Sequence, residues 1–133
     1  MDMKRLMTEM TRLRDIAIEY SDYCQCDGCI IHDVCDNSYG LLGCAWLYLA
    51  CVATGRLYRT GRIRKTKNYR IAACNELFDH AVAFRKKHGD KCHDCPIVDE
   101  CNRLDCPCYY SFLLCVIFGI IDVNGERKED EGK

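Results

Sequence analysis

The sequence predicts an all-α protein made of two internally duplicated helix–Cys loop–helix units, packed as a pseudo-two-fold four-helix domain. Three observations carry this expectation. Cys26, Cys29, Cys35, Cys44 and Cys51 are answered in the same order by Cys92, Cys95, Cys101, Cys108 and Cys115, and the first three keep the spacing C-x2-C-x5-C in both copies. Apolar residues recur at three and four upstream of each cysteine loop, which is the period of one helix face. Strand signals are confined to Arg56 to Arg64, where Thr60-Gly61 suits the turn of a short hairpin.

The elements follow in order. Met3, Leu6, Met7, Met10, Leu13, Ile16, Ala17 and Tyr20 define a first amphipathic helix, followed by the cysteine loop and then an apolar helix around Leu49-Ala50-Cys51-Val52. This first unit spans residues 1–55, and a basic connector spans 56–70. The second unit spans 71–124. It opens with Ile71, Cys74, Leu77, Phe78, Ala81, Val82 and Phe84 at helical spacing. Lys86, Lys87 and His88 before Gly89 are a usual helix ending, cations in the last turn and then glycine. Leu113-Leu114-Cys115-Val116 repeats the second helix of the first unit. Residues 125–133 are nearly all charged and are expected to be a disordered tail.

Two stretches carry no charge, Asn37 to Gly55 and Cys106 to Ile121. They sit at or below the length of about 20 apolar residues that crosses a bilayer. They also contain Gly, Ser, Thr, Asn and several cysteines, and a single crossing between the loops would set the matched loops on opposite faces. Membrane spanning is therefore not expected. The reading preferred is two central helices packed on each other and sheathed by the two amphipathic ones.

The bulk numbers narrow the chemistry. A net charge of -1 excludes a general polyanion binder. Thirteen cysteines among 133 residues point to a disulfide scaffold or a metal protein. The first residues, MDMKRLMTEMTRLRD, hold no apolar core and no small-residue cleavage site, so no secretory signal is expected. The expected location is the cytoplasm, where thiols stay reduced and clustered cysteines more often bind metal.

Within each loop the C-x2-C pair converges from a tight turn, the x5 step returns a third thiolate, and the next helix supplies a fourth. The predicted ligands are Cys26, Cys29, Cys35 and Cys44 in the first centre, and Cys92, Cys95, Cys101 and Cys108 in the second. Four thiolates suit tetrahedral zinc or a 4Fe–4S cluster and exclude the oxygen-seeking calcium and magnesium. Structural zinc usually pairs two C-x2-C knuckles. Here one knuckle is followed by single cysteines, and Pro96 follows Cys95 as in ferredoxin-type runs, so two 4Fe–4S clusters are favoured, with zinc as the alternative. Cys24 and Cys106, unpaired by the repeat, are substitute ligands. Cys51 and Cys115 are expected in the core, and His32 and His93 on loop surfaces.

The run Cys92-His93-Asp94-Cys95-Pro96-Ile97-Val98-Asp99-Glu100-Cys101, with Cys74 upstream, resembles the cluster motif of the WhiB-like proteins. Those are small helical 4Fe–4S redox-responsive transcription regulators, whose pattern is one distant cysteine and then C-x2-C-x5-C around a Pro-Val-like pair. In the first unit the resemblance is limited to C-x2-C-x5-C, and the family's Gly-Val-Trp-Gly-Gly turn is absent. It implies a redox-responsive regulator whose second centre takes Cys74 as fourth ligand. The internal repeat names Cys108 instead, and we follow the repeat because it is observed within this chain.

Arg56, Arg59, Arg62, Arg64, Lys65, Lys67 and Arg70 fall in the connector, interleaved with Tyr58 and Tyr69, and no acid occurs from Asn37 to Asn75. Clustered arginine with tyrosine suits a phosphate backbone and stacked bases, so nucleic acid is a candidate partner. The plainer reading is that the connector folds back on the acids around the cysteine loops, among them Asp33 and Asp99. No Gly-rich phosphate loop, nucleophile elbow or HExxH occurs, and an enzyme is not expected. The function expected is a metal protein with two four-cysteine centres that acts as a redox-responsive regulator. The alternatives are a zinc-based protein-interaction adaptor, a two-cluster electron carrier and a disulfide scaffold.

Overall fold

A computed structural model of the chain describes residues 3–23, 29, 31–33, 44–64, 70, 72–88, 94–105 and 108–127. Among them are five helices and no strands: α1 (Met3–Tyr23), α2 (Cys44–Thr54), α3 (Ala72–His88), α4 (Val98–Leu104) and α5 (Cys108–Ile117). The all-α expectation holds. The sequence reading has only a loop where α4 lies.

α1 forms because Met7, Met10, Leu13 and Ala17 recur on one face and are buried, while the charged residues face outward. α3 buries Cys74, Leu77, Ala81 and Phe84 in the same way and ends on Arg85, Lys86, Lys87 and His88, cations that suit a helix C-terminus. α2 and α5 are different. Every residue from Ala45 to Cys51 and from Ser111 to Cys115 is buried, the pattern of a helix surrounded on all sides. These two pack on each other at the centre. α1 lies against α2, α3 lies against both central helices, and α4 touches α1 and α5.

Aromatic pairs join the layers. Tyr20 of α1 meets Tyr48 of α2 with ring centroids 5.0 Å apart, and Phe84 of α3 meets Phe112 of α5 at the same separation. Trp46 of α2 stands edge-on to Phe78 of α3 at 5.7 Å. Each central helix ends in a turn built from the same backbone bonds. Arg56 N donates to Cys51 O and Ile120 N to Cys115 O, both at 2.8 Å. Tyr58 N donates to Arg62 O at 2.9 Å, and Asp122 N to Glu126 O at 3.0 Å. Each turn closes on an isolated antiparallel bridge, Leu57 with Ile63 and Ile121 with Arg127. The hairpin expected at Arg56 to Arg64 is thus one bridge rather than paired strands. Gly125, Glu126 and Arg127, read from sequence as the start of the tail, belong to the second turn, while 128–133 lie outside the described residues.

No described helix is long and apolar enough to cross a membrane.

Candidate metal centre

In the second unit Cys95, Cys101 and Cys108 line one cavity of about 50 Å³. Its other walls are the last turn of α3, through Phe84, Arg85 and His88, and the loop and first helix that carry the cysteines, through Ile97, Val98 and Asn102. Local sequence explains how the three come to one cavity. Val98 N donates to Cys95 O at 3.1 Å, which turns the chain immediately after the knuckle cysteine. Cys101 then sits on α4, whose acids Asp99 and Glu100 suit the positive end of the helix. Asp105 adopts the left-handed conformation (φ 51) and donates its N–H to Cys101 O at 3.0 Å, ending α4. Cys108 follows as the first residue of α5. All three cysteines are half-buried, and Ser111 Oγ lies 3.4 Å from Cys101 Sγ as a donor. Cys92 lies outside the described residues.

The loop is held from the far end of the chain. Arg127 donates to Pro96 O at 2.7 Å and to both oxygens of Glu100 at 3.2–3.3 Å. The Glu100 side chain is 4% exposed and that of Arg127 47%. Arg127→Ala is expected to cost about 1–3 kcal/mol, because a buried carboxylate loses its donors while water screens only the outer side of the pair. Urea unfolding checks this, and an unmoved midpoint would mean that Glu100 is solvated without its partner.

In the first unit Cys29 and Cys44 are half-buried, and Tyr20 Oη is 2.5 Å from Cys29 Sγ. His32 N donates to Cys29 O at 3.2 Å, the same turn as after Cys95. Cys26, Cys35, Cys24 and Cys106 lie outside the described residues. Among the described residues no group of three or more His, Cys, Asp or Glu side chains is arranged to hold a metal ion. Cys29, Cys44, Cys51, Cys74, Cys95, Cys101, Cys108 and Cys115 are thiols rather than disulfides.

The structure places Cys74 elsewhere. It lies on the first turns of α3, about 21 Å of helix rise from His88 at the cavity end. There it is buried against Cys51 of α2, with Thr54 Oγ1 3.7 Å from its sulfur. A hydrogen bond to Cys74, and then burial, push the Cys51 thiol well up, so it stays protonated. Cys51 and Cys115 are core residues with no exposure.

Arg85 and His88 were not legible as site residues, since they read as ordinary helix-ending cations. The repeat gives no signal for them, since the register that matches the cysteine loops sets Cys24 over Asp90. Burial, and then Lys87, lower the His88 pKa, which favours its neutral, metal-binding form.

The basic connector divides. Arg56 pairs with Asp33 at 2.8 Å, as the plainer reading anticipates, and Arg70 pairs with Glu76 at 2.7 Å. Arg59, Arg62 and Arg64 instead line an open groove of about 730 Å³ together with Tyr58. Lys65, Lys67 and Tyr69 lie outside the described residues.

No family model, curated protein or solved structure matches this chain.

Proposed function

We propose that the chain is a duplicated metal protein, two copies of one unit related by an approximate two-fold, each binding a 4Fe–4S cluster. The ligands are Cys26, Cys29, Cys35 and Cys44 in one centre, and Cys92, Cys95, Cys101 and Cys108 in the other. The observation that supports this reading best is the cavity shared by Cys95, Cys101 and Cys108. Three cysteines from successive segments line one mostly apolar space of roughly 50 Å³. The single C-x2-C knuckle and Pro96 after Cys95 favour a cluster over zinc. The matched turns after α2 and α5 support the duplication.

The cluster would supply a redox-sensitive crosslink. Its thiolates tie the loop to the start of the following helix, so oxidative loss of the cluster releases both. In the first unit Cys44 begins α2 and the basic turn follows its end, which gives a short mechanical path from cluster to groove. The role that fits is a cytoplasmic redox-responsive regulator contacting nucleic acid, without catalysis of its own.

Zinc is the second reading, and His88 is what favours it. An imidazole in the wall beside three thiols offers a ligand set of three cysteines and one histidine as well as a set of four cysteines. In that case the role is a protein-interaction adaptor. Elemental analysis and an absorption spectrum of anaerobically purified protein separate the two. Brown protein with about eight irons per chain is expected. Colourless protein with about two zinc ions would overturn the cluster, and protein carrying neither metal would overturn both. Reversible reduction without nucleic-acid affinity would instead indicate an electron carrier.

A further inference from the structure

We infer that the groove beside the first turn binds an unpaired nucleic-acid strand, taking phosphates on Arg59, Arg62 and Arg64 and a base against Tyr58 and the apolar floor. This deepens the nucleic-acid part of the reading above and does not depend on which metal the centres hold.

The chain contains its own control. The turns after α2 and α5 share the same backbone bonds, the same closing bridge and a positive-φ glycine at the same place, Gly61 and Gly125. The fold therefore makes the same demands on both. Yet where the second turn has Asp122, Val123 and Glu126, the first has Tyr58, Arg59 and Arg62. In the second turn the side chains serve the turn itself, since Asp122 Oδ1 accepts from Asn124 N at 2.9 Å and Glu126 N at 3.1 Å. The first turn gives up that local cap for an exposed aromatic ring and cations. Arg59 contributes to the fold, donating to Ile117 O at 3.3 Å and standing over Phe118, but the half-exposed Tyr58 ring is an exchange that a ligand explains.

The groove's chemistry selects the ligand. Its volume of about 730 Å³, open to solvent, leaves room for a base and its flanking phosphates. Arg59 stands 4.1 Å over the Phe118 ring and donates to Ile117 O at 3.3 Å, and Arg64 stands 5.5 Å from the Tyr58 ring centroid, so guanidinium groups already lie beside aromatic rings. Tyr58 is 50% exposed. No acid is among the described residues that line the groove, while half-buried Val116 and Ile117 of the second unit form an apolar floor. Phosphates alone would need no floor, and a paired base cannot reach one. Bases freed from pairing stack on aromatic and apolar surface while arginines follow the backbone.

The test uses the turn that the chain already folds. The full-length triple variant Tyr58→Asp, Arg59→Val, Arg62→Glu gives the first turn the second turn's side chains. Binding is read by fluorescence anisotropy against a labelled oligo-dT single strand, a duplex of mixed sequence and vesicles containing phosphatidylserine. The wild type is expected to prefer the single strand. The variant is expected to lose at least tenfold in affinity, and its log-affinity against log-salt slope to flatten by about 1.4 for the two arginines removed. Its metal content and circular dichroism should stay those of the wild type, so loss of the centres and loss of the groove are read separately. Should the triple variant fold poorly, Tyr58→Ala and Arg59→Gln/Arg62→Gln carry the same expectation. Equal binding by folded variants, tighter binding of the duplex, or binding of the vesicles alone would each overturn the inference.

Discussion

Cys108→Ser is expected to strip the second centre and leave the first filled, halving the iron from about eight atoms per chain to about four. Serine is a poor match for soft iron, and in the proposed centre Cys108 would tie the cysteine loop to a central helix. Without it the proposed cluster would be held only from the loop side, and α5 would lose the anchor at its first residue. Cys101→Ser should do the same and also change the sulfur that Ser111 contacts. Cys74→Ser is the discriminating control. Cys74 is buried against Cys51 and Thr54, about 21 Å of helix rise from the cavity end of α3, so this variant should keep all its iron. The opposite pattern, with iron lost from Cys74→Ser and kept in Cys108→Ser, would restore the ligand set that the WhiB-like resemblance implies and overturn the one argued from the repeat.

Much of the fold could be read from the sequence because its signals are periodic. Leu13 and Ala17 in α1, and Leu77 and Ala81 in α3, stand where the helix period puts them and are buried as expected. α2 and α5 announce themselves by lacking charge. α4 does not, because one of its two buried residues is Glu100, an acid whose partner Arg127 lies in a different turn of the chain. A helix of seven residues also spans too few periods to show one. The turn at Ile121 to Arg127 was hidden by its own charges: Asp122 caps it and Arg127 pairs with the distant Glu100, yet both read as solvated. Spacing picked out Cys95, Cys101 and Cys108, which the fold brings to the lining of one cavity. Arg85 and His88 were not legible, since only the packing of the α3 end against the loop brings them to the cavity. Charge counting likewise found the connector but could not assign Arg56 to Asp33 and leave Arg59, Arg62 and Arg64 in the groove.

The two turns also predict an unequal response to the same substitution. Gly61 has φ +90, and a Cβ there would stand 2.5 Å from Tyr48 Oη, while Gly125 has φ +85, and its Cβ would stand 2.6 Å from Phe84 Cδ1. Gly61→Ala is expected to cost about 2–4 kcal/mol, part from an L-residue at positive φ and part from the clash. Only the clash depends on the hydroxyl, because the next Tyr48 atom, Cζ, is at an ordinary 3.6 Å. Tyr48 Oη is buried and has no hydrogen-bond partner among the described residues. The residue at the matching place in α5 is Phe112, so Tyr48→Phe alone should be neutral or stabilising by up to about 1 kcal/mol. In that background Gly61→Ala should cost only the backbone strain, about 1–2 kcal/mol, which gives a coupling of about 1–2 kcal/mol in a double-mutant cycle. Gly125→Ala has no such rescue. Its clash is with a ring carbon of Phe84, and Phe84 is itself packed on Phe112. Trimming Phe84 to Leu would relieve the contact but leave the neighbouring ring unpacked, so the second cycle should show no net recovery of stability. Chemical denaturation of the single and double variants measures both cycles, and additive effects at Gly61 and Tyr48 would mean that the hydroxyl moves aside at no cost.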